Sequence, residues 1–496
     1  MKIKLSPWLL LVLAALIWRA VYAYWTPTHF NYLVPPGDDA ANHLYYITTM
    51  LQNKISLVTS GYPMGFHLII IALTKILHMT ALKAVIWFTP LLLILPIISI
   101  YLAGKKIFES EMVGAVAAAI WAFIALGPVR AFGDGNYPNL LASSVILPLA
   151  VAYVYLLVSK PSWKNLIYAV VFSMLIVLTH HLTVVYLLIA VGPWALIYGV
   201  NQLWKKRHHE KIGMILWVIV GILLFVGLGW LIIGPIATPF IENIIQGRSL
   251  AEYFGSGSNS VSWQMLLELN NPVLVYTGLI GLVAMLFSRT RFPQKMLMIF
   301  WVLILIWFST TSFFGLPGRF VRELAIPLSL CGGFLGWQLW QWANAHRRGW
   351  MVVAIIVLGI GVDFVGSFHR PYALPDPFHS LIRVSNDQSG AFQFMNTITP
   401  ESGVIMANNG NPFIKYLVNR NVLTIISPTQ LNGDVNHSDV FTIYIASRPP
   451  LTSEDVYPYY ANYDQISAKM RTFSSFRLSA KYPDGTEIYT RSGVSN

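Results

Sequence analysis

The chain has 496 residues, 55% of them hydrophobic and 11% charged, with a mean hydropathy of +0.58. That composition excludes a soluble globular chain, and repeated long apolar runs mark a polytopic membrane protein. The net charge of +12 does not point to nucleic acid: from His369 onward there are 10 Lys/Arg and 10 Asp/Glu, so the tail is neutral and the excess lies in the membrane part.

The N-terminal run MKIKLSPWLLLVLAALIW lacks a clean small-residue cleavage site and reads as an uncleaved first span, 5–24. The loop 25–81 follows, with two helical patterns that do not read as spans. In 39–51, Leu44, Ile47 and Leu51 recur at i, i+3 and i+7, the stripe of a surface helix that can lie on the membrane. PMGFHLIIIALTKIL, 63–77, is short for a span, and a crossing there would move Lys105 and Lys106 to the other side. It reads as an interfacial or re-entrant helix. Runs of about 20 apolar residues predict further spans near 82–103, 112–128, 140–158, 164–180, 182–200, 212–234, 273–288, 296–311, 324–343 and 350–366. About 11 transmembrane helices place the tail opposite the N-terminus. One set of loops, including Lys105, Lys106, Lys160, Lys164, Arg289 and Arg291, carries 15 Lys/Arg against 7 in the other set. The richer set is expected to be cytoplasmic, with the tail outside the cell membrane.

From about 367 the apolar runs shorten to strand length. GVIMAN, NVLTII and DVFTIYI read as strands, 388–398 and 411–419 as helices, and FSSFRLSAKYPDGTEIYTR as a hairpin around Pro-Asp-Gly. The expected organisation is a membrane domain, 1–366, and an extracytoplasmic α/β domain, 367–496. The single cysteine, Cys331, excludes a disulfide framework or a cysteine metal site within one chain.

The spans carry almost no charge at mid-membrane depth; Asp363 and Glu323 fall near outer ends. Intramembrane carboxylates mark ion pathways, so a coupled transporter is disfavoured. The ionisable residues cluster in the outer loops instead. Asp39 and His43, at i and i+4, share a helix face and suit a base with its orienting partner or two metal ligands. Asp38 suits an N-cap. His67, in SGYPMGFH, is either a site residue or a histidine at the headgroup interface. Asp134, in AFGDGNYPN, is either a second acid or a turn residue. Of His180 and His181 in their tight hairpin, one is expected to point away from the other. Arg319 and Arg322, in GLPGRFVREL, suit bidentate phosphate binding or interfacial anchoring, with Glu323 as an ion-pair candidate.

In order, these features resemble the GT-C superfamily of integral-membrane glycosyltransferases. The parts are the acidic motif GDDAANHLYYITTML, the juxtamembrane helix GYPMGFHLIIIALTKIL, a span ending in a basic pair, IYLAGKKIF, the outer loop VRAFGDGNYPN, and an outer α/β tail ending in GTEIYTR. Aligned back from Met50-Leu51 without gaps, Asp39 falls on the family's first acidic position; the second falls on Ala40, unless Asp38-Asp39 is the pair with a one-residue shift. The tail has no WWDYG-like segment, which argues against an oligosaccharyltransferase. The resemblance implies a polyprenyl-phosphate-linked sugar donor and a glycan, lipid or protein acceptor, with the site at the outer membrane edge. Asp39 would act as base, helped by Asp38 and His43. Arg319, Arg322 and Arg130 would bind the donor phosphate, and His67, Asp134, His180 and His181 would serve substrate or a metal. The cofactor question stays open between none and a divalent ion, Mn, Mg or Zn, for which Asp39, His43, His67 and Asp134 are suitable ligand types. A lipid-linked-glycan flippase would need charged residues along a transbilayer path and related halves, and neither is visible. A non-catalytic scaffold leaves the converging outer residues unexplained.

Overall fold

The structure is a computed structural model. It describes residues 6–29, 34–37, 39–52, 63–205, 260–311, 317–346, 386–408, 413–418, 420–425, 431, 439–445, 463–483 and 485–492. Asp38, Asp363 and the expected spans 212–234 and 350–366 lie outside the described residues. The chain forms two compact units, one of residues 1–26 and 45–373, the other of residues 27–44 and 374–496.

In the first unit α1 spans Pro7–His29, running on past the unit's edge, and α2 spans Asp39–Leu51, its front half belonging to the second unit. Next come α3 (Gly65–Ile76), α4 (Ala81–Phe88), α5 (Leu91–Phe108), α6 (Glu111–Ile124) and α7 (Gly127–Gly133). One long helix, α8, covers Tyr137–Ser159 and contains a π-helical turn at Leu140–Ile146. They are followed by α9 (Trp163–Thr179), α10 (His181–Lys205), α11 (Trp263–Asn270), α12 (Pro272–Phe287), α13 (Phe292–Thr310), α14 (Pro317–Glu323) and α15 (Ala325–Ala345). Several helices start where a hydroxyl can cap them. Thr80, Ser110, Ser162 and Ser262 each accept from the backbone N–H three residues on.

Among the described residues, four helices are long and apolar enough to cross a bilayer: Pro7–Trp25, Leu91–Phe108, Tyr137–Ser159 and Phe292–Thr310. The number is seven if each of three bent pairs counts as one span. The bends are 114° between α3 and α4, 49° between α6 and α7, and 103° between α11 and α12. The span expected at 82–103 is corrected: it is divided at Thr89-Pro90, and the crossing helix is α5. Proline has no N–H for the helical ladder, a break that an apolar window does not register. The membrane-facing stripe expected on α2 is also corrected, because Leu44 and Ile47 are fully buried in protein.

Small residues let α15 pack backbone to backbone on both sides. A Cβ added at Gly281 of α12 would stand 2.1 Å from the Cys331 carbonyl oxygen, and one added at Gly333 would stand 2.6 Å from the Val113 carbonyl oxygen of α6. Arg19 is buried inside α1, a charge that a reading of the loops passes over. Its Nη2 donates to the carbonyls of Trp121 (3.3 Å) and Ala125 (3.2 Å), and its guanidinium lies 5.5 Å from the centroid of the Trp121 ring.

The tail of the second unit contains α16 (Asn386–Ile398), β1 (Val404–Asn408), α17 (Ile414–Leu417), β2 (Asn421–Ile425), β3 (Val440–Ile445), α18 (Tyr463–Met470), β4 (Phe476–Lys481) and β5 (Glu487–Arg491). The sheet order is β2-β1-β3-β5-β4, with β1 parallel to β2 and β3, and β5 antiparallel to β3 and β4. Every strand expected from the sequence is present. The helix expected at 411–419 shrinks to the four residues of α17, and α18 was not expected. A core of Val404, Met406, Val440, Ile443, Ile466, Met470 and Tyr489 fills the sheet face toward α18.

Gly281→Ala pushes a methyl group into a backbone carbonyl that cannot move aside. It should cost at least about 2 kcal/mol, read as a lowered thermal midpoint in detergent. Gly332→Ala meets only the end of the Ile120 side chain, at 2.9 Å, and should cost clearly less. Equal midpoints for the two variants would disprove the close approach of α12 and α15.

Candidate active site

Two of the helix breaks, α6–α7 and α11–α12, meet α14 at one end of the first unit. α6 ends at Ile124, and its last carbonyls need donors before α7 begins. Arg19 supplies two hydrogen bonds, and the Asn271 amide donates to the Ile124 carbonyl at 3.2 Å. Asn271 holds a positive φ of 80°, and its Oδ1 caps α12 through the Val273 N–H. Its neighbour Asn270 donates to the Val321 carbonyl of α14 at 2.8 Å. Gly127 lies so close to α14 that an added Cβ would stand 3.2 Å from the Arg322 carbonyl oxygen. These contacts tie α7 and α14, and with them Asp134, Arg319, Arg322 and Glu323, into one cluster.

Arg322 pairs with Asp134 at 2.5 Å, both side chains partly exposed. The expectation that Glu323 would be the ion-pair partner is therefore corrected. Glu323 is buried, and it accepts from the Asn139 amide at 3.3 Å. Asn139 Oδ1 in turn accepts from the Thr183 hydroxyl at 3.4 Å, and that hydroxyl shares a hydrogen bond with His180 Nδ1 at 3.0 Å. Burial pushes the Glu323 carboxyl up to about 7, with hydrogen bonds from Ser143 and Asn139 and the Arg322 charge pulling it part of the way back. The histidines differ from expectation. Their rings do not point apart but stack, 5.4 Å between centroids and 21° between planes.

Arg319 is half-buried on α14 and makes no hydrogen bond or ion pair among the described residues; its charge acts on His181. Tyr186 of α10 is fully buried. Its ring meets Phe320 edge-on at 5.4 Å, and its hydroxyl has no hydrogen-bond partner among the described residues. The charges of Glu323, Arg319 and Arg322 all act on it. Arg130 lies in the last turn of α7. His67 is buried on α3 with Tyr46 and Phe66 rings edge-on at 5.5 and 5.6 Å.

In the second unit, α2 carries Asp39 and His43 one turn apart, with His43 buried. Among the described residues no three His, Cys, Asp or Glu side chains come together to hold one metal ion.

Asn139, Ser143, Thr183, Tyr186, Asn270 and Asn271 were missed by sequence reasoning. Asn139 ends the Tyr-Pro-Asn of the VRAFGDGNYPN loop, a signal that could point to it, and the others carry no motif.

No protein-family profile matches the sequence, and no curated protein matches it. Solved structures do match. The oligosaccharyltransferase of Archaeoglobus fulgidus aligns with a TM-score of 0.61 at 12% identity, over 99% of this chain and 75% of that one. ArnT from Cupriavidus metallidurans, bound to undecaprenyl phosphate, aligns at 0.58 and 14% identity, over 97% of both chains. The mycobacterial arabinofuranosyltransferase AftD aligns at 0.56 and 12% identity, over 99% of this chain and 40% of that one. The chain has the polytopic helical fold of the GT-C glycosyltransferases.

The buried Glu323 carboxyl gives a pH test. Its folded pKa lies above that of an unfolded glutamate, about 4.3. Its contribution is fully present below that value and is lost as pH rises through about 7. The thermal midpoint should fall between about pH 5 and about pH 7.5, and Glu323→Gln should flatten that fall. An unchanged slope in the variant would show that Glu323 is ionised at neutral pH in the fold.

Proposed function

We propose that the protein is a membrane glycosyltransferase moving a sugar from a polyprenyl-phosphate donor to an acceptor on the extracytoplasmic side. The observation that carries this reading is Arg319, a half-buried guanidinium without a partner among the described residues, at the convergence of broken helices. The fold supports it: one neighbour is bound to undecaprenyl phosphate and another is in complex with a dolichol-phosphate and an inhibitory peptide.

The roles follow from charge development. The acceptor hydroxyl is a poor nucleophile. Asp39 takes its proton as the oxygen attacks the anomeric carbon, which is general-base help worth roughly 10²–10⁴ in rate. The bond from that carbon to the phosphate oxygen breaks, and its electron pair leaves with the lipid phosphate. Arg319 stabilises the charge that develops there, as fixed cations do for transferring groups. Arg322 and Arg130 support the phosphate, with Arg322 tempered by Asp134. His43, one turn on, orients Asp39, and Asp38 caps and positions the helix. His67, His180 and His181 serve substrate contacts. The displacement is inverting, and the sugar is a hexose or pentose.

Orientation follows the positive-residue asymmetry. The N-terminus is cytoplasmic, the protein lies in the cell membrane, and the domain from 367 onward is outside. In a Cys331→Ala background, a cysteine at Ser474 should react with an impermeant thiol reagent in whole cells, while one at Asn201 should be protected. The opposite pattern would invert the map.

The reaction is tested in detergent with a panel of undecaprenyl-phosphate-linked sugars, following release of the lipid phosphate. Asp39→Asn should lower turnover at least about a hundredfold at near-normal donor binding. Asp38→Asn, still a good cap, should lose much less. Arg319→Ala should lower kcat/KM for the donor by about 2–5 kcal/mol, with Arg319→Lys recovering part because it lacks the bidentate fork. Near-normal turnover in both aspartate variants would sink the mechanism.

A further inference from the structure

The front half of α2 belongs to the same compact unit as the tail, and one hydrogen bond joins them. The Tyr416 hydroxyl of α17 donates to the Ala41 carbonyl of α2 at 3.1 Å. Ala41 stands between Asp39 and His43 on the helix, two residues from each. The donor is firmly held. The neighbours of α17, Phe413 and Val418, are fully buried, and Ile414 nearly so. The Asn396 amide of α16 donates to the Leu417 carbonyl at 3.2 Å, and Arg420 Nε donates to the Thr399 carbonyl at 3.1 Å. Thr399 in turn shares a hydroxyl hydrogen bond of 2.7 Å with Thr442 of β3. A continuous set of contacts thus runs from the tail's central sheet to the helix that bears the acid.

We propose that Tyr416 is a positioning residue. It fixes the rotation and depth of α2 through the Ala41 carbonyl and so sets the direction in which Asp39 and His43 point. The proposal rests on the reading of Asp39 as the base. It makes the tail part of the catalytic apparatus, since a side chain two residues from the carbonyl moves with it. A base displaced by even an ångström loses much of its rate advantage.

The test is hydrogen–deuterium exchange on the full-length protein in detergent, run beside turnover of the undecaprenyl-phosphate-linked sugar that the wild type consumes. Tyr416→Phe keeps the ring and removes only the donor. Amide exchange in peptides covering 39–45 should rise about fivefold, the weight of one neutral hydrogen bond. Exchange in the sheet and the thermal midpoint should not change. Turnover should fall with donor KM unchanged, a split that a general loss of structure does not produce. Unchanged exchange at 39–45 overturns the proposal whatever the activity. So does raised exchange with full turnover in a protein that Asp39→Asn inactivates. Full turnover of Asp39→Asn would strike the base assignment instead. The two failures are distinguishable because exchange around Ala41 reads the tyrosine contact and not the carboxylate.

Discussion

The break between α6 and α7 is the constraint on which the candidate site depends. An interrupted helix leaves carbonyls without partners, and in a bilayer no water reaches them, so each unsatisfied group costs several kcal/mol. Arg19 and Asn271 meet that demand from α1 and from the start of α12. With the carbonyls satisfied, α7 can leave at 49°, Gly127 can press against the backbone of Arg322, and Asp134 can reach the Arg322 guanidinium. A buried arginine in a span ordinarily suggests a transport path. Here the cation is committed to backbone carbonyls and two aromatic rings.

Ionic contacts are divided between the two ends of the helical unit in different ways. At the end where α5 meets α6, Glu109 accepts from Lys160 and, with both oxygens, from Arg291, and Lys105 pairs with Glu111. The Lys160 hydrogen bond is the main cause that holds the Glu109 carboxyl below its usual range. These groups are largely exposed, and such pairs add little stability each. They fix which loops are neighbours, and each cation there except Arg289 and those at Lys106 and Lys164 has a carboxylate partner or backbone acceptor among the described residues. At the other end Asp134 answers Arg322 while Glu323 is turned inward to Asn139. Arg319 is left as a cation facing no anion among the described residues, the observation on which the proposed contact with the donor phosphate rests.

Much of the fold was legible because its signals are strong. Apolar runs of strand length marked three strands and the Pro-Asp-Gly turn marked the hairpin of the other two, where Tyr482 to Gly485 closes the turn with Gly485 at φ 87°. Apolar length marked the crossing helices, and the basic loop residues that were grouped together, Lys105, Lys160 and Arg291, do lie at one end. Apolar length also misled. It could not separate α4 from α5, since leucine and isoleucine continue on both sides of Thr89-Pro90. It could not say whether the stripe on α2 faces lipid or protein, because both accept Leu44 and Ile47 equally well.

The candidate site was legible in its charges and not in its scaffold. Arginine and aspartate in loops announce themselves because burying them is costly. Asn139, Ser143, Thr183 and Tyr186 do not, since neutral polar residues occur throughout membrane helices without consequence. What distinguishes them is geometry. Asn139 precedes the π-helical turn, where the ladder reaches from Leu147 back to Ala142, five residues away. Asn139 and Ser143, at i and i+4, share a helix face and bring two donors to one buried acid. Without either donor, Glu323 would lose a partner that its burial makes expensive to lose. The acid and its donors join α14 to α8, a pairing between distant segments that a reading along the chain cannot supply.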